Sequence, residues 1–164
     1  MIKLLVFDVD GCLTNGNIIY GSNNEEHKSF NVKDGLAIAS WSRLGLKSAI
    51  ITGRNSKVVE RRAKELKITH LHQGIKDKKT LLEEILKEEN LKWENVAAIG
   101  DDLNDYGMLN KVGWSFTPNN GASQIKKIVK TVLNADGGAG AVREMIEMII
   151  KEENLEEEFL RLWQ

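Results

Sequence analysis

Short apolar runs alternate along this chain with longer segments whose apolar residues recur at helical spacing, and polar turn-formers separate them. Ile2–Phe7 is the first run, and Lys47–Ile51, Thr69–His72, Val96–Ile99, Trp114–Phe116 and Thr131–Val132 read as the strands that follow. Helical periodicity covers Val32–Leu44 up to Gly45, Lys57–Leu66 behind Ser56 as an N-cap, Lys78–Glu89, Asp105–Asn110 and Ala122–Val129. A last helix starts near Val142, with Ile146, Ile149 and Ile150 as an apolar stripe. This alternation predicts an α/β fold: a three-layer, Rossmann-like parallel sheet with helices on both faces.

Two segments break the rhythm. Asn17–Tyr20 and Glu26–Phe30 flank Gly21-Ser22-Asn23-Asn24, which predicts a small β-hairpin insertion over residues 16–30. Gly137-Gly138-Ala139-Gly140 opens a tail over 137–164, as a hinge or a plain loop. Its charged end carries Phe159, Leu160, Leu162 and Trp163, which suggests docking onto another surface, a neighbouring subunit being the candidate.

Composition narrows the function classes. A length of 164 residues suits one domain, 1–164, and no repeat or low-complexity linker divides it. With 23 basic against 24 acidic residues and a net charge of −1, the chain lacks the basic footprint of a protein that binds nucleic acid or anionic lipid. No apolar run approaches the roughly 18 residues of a membrane span, and Ile2–Phe7 is too short for a signal sequence. Cys12, the single cysteine, excludes an intramolecular disulfide and fits a reducing compartment, so a cytoplasmic setting is expected. A small-molecule partner remains.

The candidate chemistry sits at strand tips. Ligands of open α/β sheets bind outside the carboxyl ends of the strands, so Asp8, Asp10, Thr52 and Asp101 should converge on one crevice. Carboxylates converging without a histidine or cysteine cluster point to Mg²⁺. The metal set is Asp8, Asp10 and Asp101, with a first-loop backbone carbonyl among the ligands. Asp8 is then a candidate nucleophile for phosphorus, and Asp10 the acid/base that protonates the leaving oxygen and later activates water. Thr52 would bond a phosphate oxygen, Lys78 would place a positive charge on the phosphoryl group, and Asp102 and Asp105 would support the others, Asp105 by holding Lys78.

In this order, Asp8/Asp10, Thr52, Lys78 and Asp101/Asp105 resemble the four motifs of the haloacid dehalogenase-like phosphohydrolases, over the whole chain. The choice of Lys78 within Lys76-Asp77-Lys78-Lys79 rests on the family's spacing, and Asp at position 10 is similar to its phosphatases rather than its ion-pumping ATPases. Phe7-Asp8-Val9-Asp10-Gly11, Phe30-Asn31-Val32-Lys33-Asp34-Gly35, Ile50-Ile51-Thr52-Gly53-Arg54, Gly100-Asp101-Asp102-Leu103-Asn104-Asp105 and Gly140-Ala141-Val142-Arg143-Glu144 resemble a sugar-acid phosphatase branch of that family.

The resemblance implies a sugar-acid phosphate substrate, an octulosonate 8-phosphate ahead of a nonulosonate 9-phosphate, in lipopolysaccharide precursor synthesis. It also implies that Asn31, Val32, Lys33, Asp34, Gly35, Arg54, Arg62 and Lys78 contact substrate. Ala39 and Ala139 depart from the pattern, standing where basic residues are expected; Arg43, one turn after Ala39, is the candidate to compensate. No gap is long enough for a cap domain, so the fold is capless and the resemblance implies a homotetramer whose hairpins associate, each crevice being bounded by a neighbour. The same fold also serves as a noncatalytic tetramerisation module, against which the full set of Asp8, Asp10, Thr52, Lys78 and Asp101 argues.

Overall fold

A computed structural model describes residues Met1–Gln164. The chain runs β1 (Leu4–Phe7), a hairpin of β2 (Ile19–Tyr20) and β3 (Glu26–His27), α1 (Val32–Arg43), β4 (Lys47–Ile51), α2 (Lys57–Glu65), β5 (His70–His72) and α3 (Lys78–Glu88). It continues through β6 (Val96–Ile99), α4 (Tyr106–Leu109), β7 (Trp114–Thr117), α5 (Ser123–Lys126), β8 (Thr131–Val132), α6 (Ala141–Glu152) and α7 (Glu156–Arg161).

Six strands form one parallel sheet in the order β5-β4-β1-β6-β7-β8, and the hairpin is a separate two-stranded sheet. Successive side chains on a strand face opposite ways, so the continuous apolar runs feed two cores. Leu5, Phe7, Ile50, Ala97, Ile99 and Phe116 face a core shared with α1, α2 and α6. Leu4, Val6, Ala49, Ile51, Val96 and Ala98 face the other, covered by α3, α4 and α5. From β1 the chain winds outward through β4 to β5, then returns to β6 on β1's other side and winds outward again. Right-handed crossovers in opposite directions put the helices on opposite faces and leave a switch point between β1 and β6.

The predicted strands and principal helices are present, and the differences are local. The helix expected over Ala122–Val129 is the single turn of α5, and that over Asp105–Asn110 begins as a tighter turn, Leu103–Asp105, before α4. Ser56 occupies the N-cap position of α2 but its hydroxyl caps nothing; it is buried without a partner, while Gln73 Oε1 accepts the Ser56 N–H at 2.8 Å.

At the end of the chain Phe159 packs onto its own chain, while Leu160 and Trp163 stay exposed. Phe159 joins the core beside α1 and α6, Trp163 Nε1 donates to Ser40 Oγ at 3.2 Å, and Arg43 lies 4.8 Å over the Trp163 ring. Arg43 Nη2 also donates to Leu162 O at 2.7 Å. Its guanidinium is engaged with the tail. Phe159 closes the edge of the α1–α6 layer.

The glycine-rich segment is stitched to its surroundings. Gly138 N donates to Cys12 O at 3.0 Å and Gly137 N to Asn120 Oδ1 at 3.1 Å. A β-carbon at Gly137 would lie 1.8 Å from Gly11 O, so only glycine permits this approach. Behind the loop, the Glu144 carboxylate accepts Asn134 N at 3.0 Å, Asn134 Nδ2 at 2.8 Å and Ala135 N at 2.9 Å. Burial pushes Glu144 up, but these bonds outweigh it and hold the group below its ordinary value. The folded value lies under the unfolded one, so the stabilisation is present above about 4.5 and is lost as pH falls through the folded value. Glu144→Gln is expected to lower unfolding free energy by about 1–2 kcal/mol near neutrality. Denaturant titrations repeated in acid should find the two proteins converging.

No helix is long and apolar enough to cross a membrane.

Candidate active site

Beyond β1 the chain winds tightly through Val9–Leu13, closed by Thr14 N donating to Val9 O at 3.0 Å. Gly11 makes the turn possible: its φ is +91°, and a β-carbon there would stand 1.9 Å from Asp101 Oδ2. The winding gives Asp8 and Asp10 different partners at the same crevice.

Asp8, Asp10, Thr52, Arg54, Asp101, Asp102 and Asn104 line a crevice of about 280 Å³, without a hydrophobic residue, over the tips of β1, β4 and β6. Beneath it Lys78, at the first turn of α3, is fully enclosed. Its Nζ lies 2.8 Å from Asp8 Oδ1 and 2.6 Å from Asp105 Oδ1. Asp105 turns its other oxygen to the backbone, accepting Asp101 N at 3.0 Å, so one buried carboxylate locates both the lysine and the third acidic tip. The structure thus selects Lys78, since Lys76 is exposed. Asp102 turns away from this set and caps the Leu103–Asp105 turn, accepting Leu103 N at 2.8 Å.

Oxygens of Asp8 and Asp101 and the Cys12 sulfur lie within 4.8 Å of one another. Burial, then the charge of Asp105, pushes both carboxyls up from their ordinary values, despite Lys78 pulling the other way. Negative charge is therefore in excess over the available cation, and the donors are hard oxygens. Burial also pushes the Cys12 thiol up, so it offers no thiolate to a softer metal. This donor set fits a divalent cation of the Mg²⁺ type.

Asp10 is placed differently. Its Oδ1 lies 2.5 Å from Lys28 Nζ, away from the Asp8–Asp101 pair, so a part in metal binding would fall to its backbone. Lys28 also lies 3.3 Å from Glu26 Oε1, which in turn accepts Arg54 Nη2 at 3.2 Å. Neither Lys28 nor Glu26 stood out in the sequence. Their signal is a period of two: opposite charges at alternate positions of a strand share a face, here the face toward the crevice.

Most of the segment expected to contact substrate lies elsewhere. Asn31 caps α1 by accepting Lys33 N at 2.8 Å, and Asp34 is buried with Oδ1 accepting Arg143 N at 2.8 Å. Asp34 thereby caps α6, whose own start at Gly140 has no side chain to offer, and burial pushes its carboxyl up to about 6. Arg62 lies 5.5 Å over the Phe30 ring and reaches Asn31 O at 3.5 Å, while Gly35 packs beneath it. Phe30, Val32 and Arg62 line a separate surface depression, and Lys33 faces outward. Within one chain, only Arg54 and Lys78 of the expected substrate set belong to the crevice and its floor.

A parallel sheet carrying two acidic tips at its switch point and a buried lysine bridging nucleophile and support defines a class of phosphoryl-transfer hydrolases, and the chain belongs to the haloacid dehalogenase-like hydrolase family. That family's model matches residues 71–146. The chain is 41% identical over 149 residues to the 3-deoxy-D-manno-octulosonate 8-phosphate phosphatase KdsC of Escherichia coli, covering 91% of this chain and 79% of that one. The phosphatase of the same name from Moraxella catarrhalis, solved in complex with magnesium ion, phosphate ion and KDO, superposes with a TM-score of 0.96 at 42% identity, over 99% of this chain and 94% of that one. A cobalt-bound Haemophilus influenzae relative, named deoxy-D-mannose-octulosonate 8-phosphate phosphatase, gives 0.87 at 37% identity, over 92% and 88%.

Proposed function

We propose that this protein is a Mg²⁺-dependent phosphomonoester hydrolase that converts 3-deoxy-D-manno-octulosonate 8-phosphate to the free sugar acid and phosphate, in lipopolysaccharide precursor synthesis. The observation that carries the reading is Lys78 Nζ held between Asp8 and Asp105 under a polar crevice. It is supported by the resemblance to enzymes named for that substrate. The reading takes 1–164 as one catalytic domain, working in the cytoplasm.

Asp8, Asp101 and the Asp10 backbone would hold the cation, which when bound neutralises charge on phosphate and carboxylates. Asp8 attacks phosphorus, and the ester oxygen leaves with a proton from Asp10. Asp10, now a carboxylate, takes a proton from water as the water oxygen attacks the aspartyl-phosphate. Phosphate departs and Asp8 is regenerated. Lys78 fixes the Asp8 carboxylate through Oδ1 and stays close to the charge that spreads over the phosphoryl group. Thr52 contributes a hydroxyl to a phosphate oxygen, and Arg54, at the rim, offers a planar cation to the sugar-acid end.

A crevice of about 280 Å³ with no hydrophobic residue in its lining suits the phosphate end of such an ester. Ile18, Ile19 and Tyr20 of the hairpin are exposed, as is Val32 on the outward face of Asn31–Gly35. These surfaces support a homotetramer built through the hairpins, in which the exposed Val32 and Lys33 serve a neighbour's crevice. A monomer of full activity at assay concentration, seen by light scattering, would sink this assembly. The function itself is tested by phosphate release from octulosonate 8-phosphate, nonulosonate 9-phosphate and ordinary sugar phosphates, with Mg²⁺ and with chelator. Preference for the first, lost with chelator, is expected; equal rates on all would overturn the substrate assignment.

A further inference from the structure

We propose that Lys28 is a positioning residue for Asp10, which makes the hairpin a strut of the active site as well as an assembly surface; this rests on the acid/base role of Asp10 set out above. The Lys28 side chain is 1% exposed, yet its ammonium ends between two carboxylates, 2.5 Å from Asp10 Oδ1 and 3.3 Å from Glu26 Oε1. A lysine withdrawn this far from water is tolerated where its charge is met by opposite charges, and both are supplied here. Glu26 is itself tied to Arg54 Nη2 at 3.2 Å, so four alternating charges run from the first loop across β3 to the loop after β4.

The consequence for Asp10 follows from what else holds it. Lys28 is the side-chain hydrogen-bond partner of its carboxylate, which sits at the rim of the crevice on a turn of irregular backbone. Asp8, by contrast, is gripped from below by Lys78. A proton donor must stay within hydrogen-bond reach of the leaving oxygen, and displacement by about 1 Å can cost on the order of 10²-fold. Lys28, at Oδ1, restricts the Asp10 side chain to one position and leaves Oδ2 to carry the proton. The residue comes from the insertion, so an element that adds nothing to the central sheet constrains the chemistry at its centre.

The test exploits the leaving group. An alkyl ester needs its departing oxygen protonated, whereas p-nitrophenyl phosphate releases a stable phenolate and does not. The quantity to compare is kcat/KM, which covers only the steps up to loss of the leaving group. Lys28→Met should lower kcat/KM for octulosonate 8-phosphate by about 10–100-fold and leave p-nitrophenyl phosphate nearly unchanged, and Lys28→Arg should recover much of the loss. Should Lys28→Met prove unstable, Lys28→Gln is expected to show the same dependence on leaving group. Equal losses on the two esters, or no loss on either, would overturn the positioning role while leaving the phosphatase intact. Wild-type protein inactive on both esters would instead overturn the parent reading, and this inference with it.

Discussion

Asp8→Asn is expected to lower phosphate release by at least about 10⁴-fold while the protein stays folded. The amide matches the carboxylate in shape and keeps an oxygen for Lys78, but it is not a nucleophile, so the first displacement has no attacking group. Electrostatics sharpens the prediction. Asp8 is buried near Asp101 and Asp105, and burial together with Asp105 pushes its carboxyl up. Removing that charge relieves crowding that the bound cation otherwise offsets, so the metal-free variant should unfold at the same temperature as wild type or a higher one. Rapid acid quenching after mixing with isotope-labelled substrate should find phosphate bound to wild type and none on the variant. Labelled, active Asp8→Asn protein would remove Asp8 from the nucleophile's role.

Lys78→Met should damage both activity and stability. Burial pulls the Lys78 ammonium down, but Asp8 and Asp105 outweigh it and hold it charged. With methionine in its place, two buried carboxylates lose their cation, a class of change that costs about 3–5 kcal/mol. Turnover should fall by about 10²–10³-fold, as when one preorganised donor to a developing charge is deleted. The two losses can be separated. Adding Asp105→Asn to Lys78→Met removes one unpaired carboxylate, so denaturant titration should show stability partly restored while phosphate release stays low. Stability unchanged by Lys78→Met would mean that the buried triad contributes little to the fold.

Parts of this molecule were legible from residue order because the signals are local. The runs Leu4–Phe7, Ala49–Ile51 and Val96–Ile99 are apolar on both faces, as buried parallel strands must be, and the first one or two residues past each tip fall at the edge where such sheets bind ligands. Asp8, Thr52 and Asp101 could therefore be grouped before any coordinates. Other features were not legible, since they depend on partners distant in the chain. The Asp34 carboxylate is buried and accepts a bond at the start of a helix that begins more than a hundred positions later. Arg43 meets Leu162 and Trp163, residues more than a hundred positions away.

The sequence by itself determined the sheet, its covering helices, the order of the chemical groups and the absence of room for a cap, because periodicity and strand-tip position are properties of neighbouring residues. Tertiary structure alone decided that Asp10 faces Lys28 while Asp8 faces Lys78, and that the tail closes on its own chain. The physical reason is that a charged or apolar side chain takes whichever partner the packed chain brings within a few ångströms, and that choice is made by the fold as a whole.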